Sequence, residues 1–273
     1  MSTRDIGDPS ILIIGCGNMG GAMLAGWLAG GLDARRITVV DPLLEAVPEG
    51  VTLLREVPAA GAHDVVLLGF KPRQLGEAAS AIASAIDPET LVLSLLAGVE
   101  LATLRGHFPA AWAVVRVMPN LAAAIGKSPI GLIGDGDACA RQMTDALMAP
   151  LGRAEWLADE MQMDLVTALA GSGPAFVYRF IDALAAGAAA LGMERAQADR
   201  LALAMVEGSA ALAAASAHGP GVLADRVASP GGVTRKGLDV LDADGRMDRL
   251  AEDTLRAARD RSAEMGLAAR TNR

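Results

Sequence analysis

Apolar residues in the first half of the chain fall in short runs, at Ile11–Ile14, Ile37–Val40, 64–69, Leu91–Ser94 and 113–117. Each run is rich in leucine or β-branched residues and too short for a helix, so each predicts a strand. Between them apolar positions recur at helical spacing, most clearly over Asn18–Ala29 and 74–86. Strands that are apolar on both faces and separated by helices predict a mostly parallel, doubly wound sheet covered on each side. Asp87-Pro88 and Phe108-Pro109 mark helix exits, and a weaker strand–helix–strand continuation runs from 129 to 156.

Beyond 159 the strand signal stops and alanine-rich helical periodicity takes over. Candidate helices span 159–169, 174–191, 195–217, 233–241 and 247–264. Pro174 suits a first helical turn and Gly192 a helix C-terminus. Two short glycine loops interrupt this pattern, Ala170-Gly171-Ser172-Gly173 and Ser229-Pro230-Gly231-Gly232. The change of periodicity predicts an α/β domain over 8–158 and an all-α domain over 159–273.

Composition narrows the partners. Of 273 residues 52% are hydrophobic but only 3% aromatic, so alanine and small aliphatic side chains must fill the core. The net charge of −8, with no basic stripe, argues against a nucleic-acid partner. Cys16 and Cys139 are too few for a disulfide framework or a metal cage, so no metal site is expected and a reducing cytoplasm is the simplest setting. The stretch 11–32 has no charged residue and is long enough for a membrane span. It contains Asn18 and seven glycines, so strand, glycine turn and buried helix explain it better, and no membrane partner is expected. The N-terminus lacks a basic start and cleavage site of a secretory leader.

Candidate chemistry begins at Gly15-Cys16-Gly17-Asn18-Met19-Gly20, a G-x-G-x-x-G that directly follows a strand and opens a helix. Gly15 allows the tight turn, Gly17 the approach of a pyrophosphate, and Gly20 close packing of helix on strand. Asn18 and Met19 open the helix whose N-terminus faces the phosphate charge. Asp41 ends the second strand about twenty residues on, as a Rossmann dinucleotide site requires. Its carboxylate can accept from ribose hydroxyls and would repel a 2′-phosphate. NADH is therefore favoured over NADPH, although Asp41 also suits the start of an Asp41-Pro42 turn. The plain alternative is a glycine-rich strand–helix turn without a ligand.

Taken in order, further motifs make the chain resemble the pyrroline-5-carboxylate reductase family over nearly its whole length. They are the glycine loop, Lys71-Pro72, Ala97-Gly98-Val99, Val115-Arg116-Val117-Met118-Pro119-Asn120, Gly171-Ser172-Gly173-Pro174-Ala175-Phe176 and Ser229-Pro230-Gly231-Gly232-Val233-Thr234. The chain departs from the family pattern at Ala170, where serine is usual, at Phe176 in place of Tyr, and at Leu121-Ala122 in place of Thr-Pro. Many members also lack an acidic residue at the position of Asp41. The resemblance implies an N-terminal Rossmann domain and a C-terminal helical dimerisation domain that interlocks with a second subunit. The expected assembly is a homodimer or a dimer-based higher oligomer, with the active site formed between chains.

The reaction so implied is hydride transfer from NAD(P)H to the C=N bond of 1-pyrroline-5-carboxylate, a small imino acid, giving L-proline. A protonated cyclic imine needs orientation rather than a strong general base. His63, His107 and His218 lie outside every motif and are expected to be structural or solvated. The substrate carboxylate needs an anion site. Gly231, Gly232, Val233 and Thr234 open a predicted helix with unpaired N–H groups, and the Thr234 hydroxyl is the candidate catalytic group at the ring nitrogen. An ordinary helix start is the plain alternative there. Ser172 is either a substrate contact or an N-cap. Lys71, Pro72, Ala97, Gly98 and Asn120 are expected to line the cofactor pocket. Rival readings are a hydroxyacid dehydrogenase, a reductase of a related imine such as pyrroline-2-carboxylate, and a non-catalytic NAD(P)-sensing regulator. A dehydrogenase needs a proton acceptor that the Gly171-Ser172-Gly173 loop does not offer.

Overall fold

The computed structural model describes residues 8–58 and 63–271. All five apolar runs are strands: β1 (Ile11–Ile14), β2 (Ile37–Val40), β4 (Val65–Leu68), β5 (Leu91–Ser94) and β6 (Ala113–Met118). The weaker continuation is also present, as β7 (Ser128–Gly134) and β8 (Gly152–Trp156). Sequence reasoning passed over β3 (Thr52–Leu54), whose three residues are too few for a readable period. The eight strands form one sheet in the order β3-β2-β1-β4-β5-β6-β7-β8. All neighbours are parallel except β6 and β7, which are antiparallel.

Every residue of β1, β4 and β5 is buried, which explains why all of them are apolar except Ser94 at the end of β5. Alternate residues feed two cores. Ile11 and Ile13 point to the face packed by Met23 and Trp27 of α1 (Asn18–Ala29) and by Met143 and Leu147 of α4 (Ala138–Met148). Leu12 and Ile14 point to the opposite face. There Leu75 and Ile82 of α2 (Leu75–Ala83), Leu104 of α3 (Leu101–His107), and Phe108 complete the layer. The Trp27 indole N–H donates to the Leu147 carbonyl at 2.7 Å, so the largest side chain of this core is also satisfied.

The stretch 159–169 is not one helix. A 3-10 turn at Glu160–Gln162 leads into α5 (Met163–Val166) and then a π-helical turn at Thr167–Gly171. Polar side chains hold this segment on the sheet. Buried Arg116 of β6 donates to Glu160 Oε1 at 2.7 Å, and the Leu101 N–H donates to the same oxygen at 2.7 Å. Asn120 Nδ2 donates to the Ala170 carbonyl at 2.9 Å.

The remaining helices are α6 (Gly173–Ala190), α7 (Arg195–Ala215), α8 (Pro220–Val227), α9 (Val233–Asp242) and α10 (Arg246–Thr271). Pro174 occupies the first turn of α6, and Gly192 follows its end at φ +107°. Helix α8 was not predicted, because its eight residues carry too little period to separate from the loops around it.

By backbone proximity the chain forms two units. One runs up to Gly171 and also takes in the stretch from Ala258 onward; the other is Ser172–Ala257. Residues 159–171 therefore group with the sheet. The end of α10 does so as well, through a 2.7 Å bond from Ser262 Oγ to Asp164 Oδ1 and close apposition of Gly266 on Gly98. Within the second unit α6 packs on α7 around Ala185, Ala198 and Ala202. Among the described residues no single helix is long and apolar enough to cross a membrane.

Candidate active site

The carboxyl ends of five neighbouring parallel strands carry the residues singled out in the first unit. Gly15 follows β1, Asp41 follows β2, and Lys71 lies just beyond β4. Ala97-Gly98 lies beyond β5, and Asn120 beyond β6. The order β3-β2-β1-β4-β5-β6 reverses direction between β1 and β4, and ligands of such sheets bind in the crevice at that point.

The glycine loop has the form a dinucleotide needs. Gly15 sits at φ +81°, and a Cβ there would lie 2.7 Å from the Phe70 nitrogen, so turn and packing both demand glycine. A Cβ at Gly20 would meet the Gly15 carbonyl oxygen at 2.8 Å, which explains the close seat of α1 on β1. At Gly17 a Cβ would meet nothing within 4 Å. That glycine is therefore not required by the protein's own packing, and its open face is room for a pyrophosphate. Gly17 is also the N-cap of α1 and contributes no side-chain bond, while the first turn has no acidic residue. The orphan N–H groups of α1 are thus available to an anion.

Asp41 turns inward as well as outward. Its Oδ2 accepts from the Cys16 N–H at 2.9 Å, and its Oδ1 accepts from Leu43 N–H at 2.9 Å and Leu44 N–H at 3.1 Å. Burial pushes its carboxyl up. The three backbone N–H bonds and the nearby Arg55 cation outweigh that, and the pKa lies below the ordinary carboxylate value. Asp41 therefore does build the turn at Pro42, and it also fastens that turn to the glycine loop. The Cys16 thiol beside it is buried and its pKa is raised to about 11 by desolvation, then by the Asp41 charge.

Two of the remaining positions act through the backbone. The Lys71 side chain is exposed, while its N–H donates to Gln74 Oε1 at 3.0 Å and Pro72 starts the following 3-10 turn. Gly98 adopts φ +73°, and a Cβ there would meet the Gly266 Cα at 2.7 Å. Asn120 is buried. Its Oδ1 accepts from the Ala122 N–H at 2.9 Å while its Nδ2 reaches Ala170, so the amide holds the wall of the crevice together.

The second unit presents the other candidate elements. Ser172 is the N-cap residue of α6, yet its hydroxyl makes no capping bond, so the cap role is positional only. Gly232 is the N-cap of α9, again without a side-chain cap. The Gly232 N–H is taken by the Ser229 carbonyl, and the helical ladder begins with Lys236 N–H to the Gly232 carbonyl. The N–H groups of 233–235 have no acceptor within the helix. Thr234 and Val233 are exposed beside them, and Gly231 stands at φ +71°.

His63 is half-buried at the opposite, amino edge of the sheet, where burial depresses its pKa against the pull of Asp64. A cavity of about 410 Å³ also lies at that edge, lined by Asp8, Trp27, Gly31, Asp33 and Leu147 among others. It contains none of the motif residues. What sequence reasoning missed at the carboxyl edge is Arg55. Pairing of β2 with β3 brings it beside Asp41, where its Nη1 donates to the carbonyls of Asp41 at 2.8 Å and Leu44 at 2.6 Å. Recognition of the three-residue strand β3 was the signal that would have placed it.

Comparison with known proteins agrees with this geometry. Residues 160–265 match the family model for pyrroline-5-carboxylate reductase dimerisation, and residues 10–98 that for NADP oxidoreductase, coenzyme F420-dependent. Pyrroline-5-carboxylate reductase of Pseudomonas aeruginosa is 36% identical over 265 residues, covering 94% of this chain and 97% of its own. The structure of the Coxiella burnetii pyrroline-5-carboxylate reductase superposes with a TM-score of 0.85 at 30% identity, covering 94% of this chain and 98% of its own. The NADP-bound pyrroline carboxylate reductase of Plasmodium falciparum shares the fold, with a TM-score of 0.79 at 22% identity over 94% of this chain and 98% of its own.

Proposed function

Since the chain belongs to the pyrroline-5-carboxylate reductase family, we propose that it reduces the C=N bond of 1-pyrroline-5-carboxylate with NAD(P)H to give L-proline. The observation that carries this reading is the near full-length identity to the Pseudomonas reductase, 36% over 94% of the chain. It is supported by a glycine loop whose middle position opens onto free space at the switch point of a doubly wound sheet.

In this reading Gly15, Gly17, Asn18, Met19 and Gly20 hold the pyrophosphate at the start of α1. Asp41 receives the adenosine ribose, and that contact favours NADH. Lys71, Pro72, Ala97, Gly98 and Asn120 form the wall along the strand ends. The bound nicotinamide supplies a hydride. The protein's task is orientation and charge. The unpaired N–H groups at the start of α9, with Gly231, Gly232 and Val233, hold the substrate carboxylate. The Thr234 hydroxyl, and Ser172 beside it in role, orient the ring nitrogen. The iminium accepts the hydride at carbon, its nitrogen keeps its proton, and a neutral amine results. No strong base is needed, in keeping with the absence of His from every segment above.

The helical unit is the proposed dimerisation and substrate domain, following the change of pattern at 159. Only Ala185, Ala198 and Ala202 form its buried cluster, while Tyr178, Leu201, Leu203, Met205 and Leu212 stay exposed along α6 and α7. Such a face favours a homodimer or a dimer-based assembly whose active site takes residues from both chains. A cytoplasmic setting belongs to the same proposal and is supported by two free cysteines, Cys16 and Cys139.

The test is loss of NADH or NADPH absorbance on mixing purified protein with 1-pyrroline-5-carboxylate. Turnover with proline as product is expected. Cofactor binding without turnover of this imine, but with turnover of pyrroline-2-carboxylate, would move the assignment to the related substrate. Binding without turnover of either would leave a nucleotide-sensing protein.

A further inference from the structure

We propose that Arg55 is the residue through which this chain accepts the 2′-phosphate of NADPH. The inference rests on the reading of the β2 end as the adenosine-ribose site. Sequence spacing separates Arg55 from Asp41 by thirteen intervening positions, but the sheet does not. Val40 pairs with Leu54 in register, and the Asp41 N–H donates to the Leu54 carbonyl at 3.2 Å, so the residues that follow β2 and β3 emerge side by side.

Asp41 alone would exclude a phosphate, but its capacity is largely spent. A carboxylate offers about four lone-pair directions. Three of these are taken by the N–H groups of Cys16, Leu43 and Leu44. What remains suffices for one ribose hydroxyl. Its negative charge is also offset, because the Arg55 guanidinium is bonded to Asp41's own carbonyl.

Arg55 is held at one end and open at the other. Both bonds it makes use Nη1, to the carbonyls of Asp41 and Leu44. Nε and Nη2, with their three N–H donors, have no partner among the described residues, and the side chain is exposed. A guanidinium fixed on one side by backbone carbonyls presents its other edge as a preorganised fork, the geometry that binds phosphate bidentately. The turn at 41–44 thus carries both a ribose acceptor and a phosphate donor. Such a site takes NADH through Asp41 and NADPH through Arg55.

The experiment measures nucleotide binding directly, by calorimetry, so that it does not depend on turnover. NADP⁺ and NAD⁺ are titrated into the wild-type protein, Arg55→Gln and Arg55→Lys, with adenosine 2′,5′-bisphosphate and AMP as fragments. Charge-assisted bonds of this kind imply that Arg55→Gln raises the ratio of NADP⁺ to NAD⁺ dissociation constants roughly 10- to 100-fold. The same shift is expected between the two fragments. Arg55→Lys, which keeps charge but loses the fork, should fall between. A ratio unmoved in Arg55→Gln, with wild-type protein binding both nucleotides, overturns the assignment and leaves the dinucleotide site intact. Equal weakening of both nucleotides overturns it in favour of a purely structural Arg55. Failure of the wild-type protein to bind either nucleotide overturns it together with the reading of the site.

Discussion

Replacing Asn120 with alanine removes two hydrogen bonds from opposite sides of one amide, and their consequences can be separated. Nδ2 is the donor to the Ala170 carbonyl in the π-helical turn, and Oδ1 caps the turn that follows by accepting from the Ala122 N–H. Asn120 is 6% exposed and Ala170 9%, so water does not readily replace the lost donor. An acceptor left unpaired in the interior costs about 1–3 kcal/mol, and loss of an N-cap about 1 kcal/mol. The expected loss for Asn120→Ala is therefore about 2–4 kcal/mol, which in a chain of this size lowers Tm by roughly 5–15 °C. Asn120→Asp divides the total. It keeps an oxygen for Ala122 but sets a second, negatively charged oxygen against the Ala170 carbonyl, so the cap survives and the π-helical contact becomes repulsive.

The assay is thermal unfolding of both variants together with hydrogen exchange, read by mass spectrometry on peptides covering 163–176. Both variants should exchange faster there, whereas peptides over 121–126 should loosen in Asn120→Ala alone. Because the π-helical turn runs directly into Ser172, the KM for the imino acid should rise more than the cofactor Kd. An Asn120→Asp protein with wild-type Tm and wild-type exchange over 163–176 would refute the reasoning, since the bond to Ala170 would then hold nothing.

Two other perturbations test the crevice from different sides. Gly98→Ala places a Cβ 2.7 Å from the Gly266 Cα at a backbone φ of +73°, so strain and clash add. A loss of at least about 2 kcal/mol in urea unfolding is expected, with a smaller one for Gly266→Ala, whose Cβ meets the Gly98 Cα at 3.4 Å; equal stability of Gly98→Ala and wild type would show that the end of α10 does not press on this turn. Cys16 is the second probe. With its pKa raised to about 11 it stays a buried thiol at neutral pH, and its thiolate fraction grows only as pH rises toward that value. Iodoacetamide at pH 8 should modify exposed Cys139 and spare Cys16; comparable rates at the two would contradict the burial and charge assigned to the glycine loop.

The sheet was legible because its physics is local. A parallel strand buried on both faces is apolar at nearly every position, and β1, β4 and β5 are so apart from Ser94, so apolar runs located them. Helix α1 matched its sequence boundaries because Gly17 opens it and Gly30 closes it. The failures share a cause as well. Strand β3 is three residues long, and α8 eight, too short for a period to accumulate. The segment 159–169 reads as a helix because its composition is helical. Its actual course is set by Arg116 holding Glu160 and by Asn120 holding Ala170, contacts 44 and 50 positions apart in sequence.

The same distinction runs through the site. Gly15, Gly17 and Gly20 could be named in advance because their spacing lies within six residues of chain, between a strand and a helix. Asp41 could be placed but not fully understood, since one of its oxygens is bound to Cys16, a partner 25 positions away. Arg55 could not be found at all, because its place depends on pairing between two strands of which only one was visible. A cofactor preference read from the residue that ends β2 is therefore a reading of half a site. In the proposed site the other half follows the adjacent strand, and the charge that a 2′-phosphate would meet is the sum of the two. A carboxylate already committed to three N–H groups, next to a guanidinium with three free donors, changes the expectation from exclusion of that phosphate to acceptance.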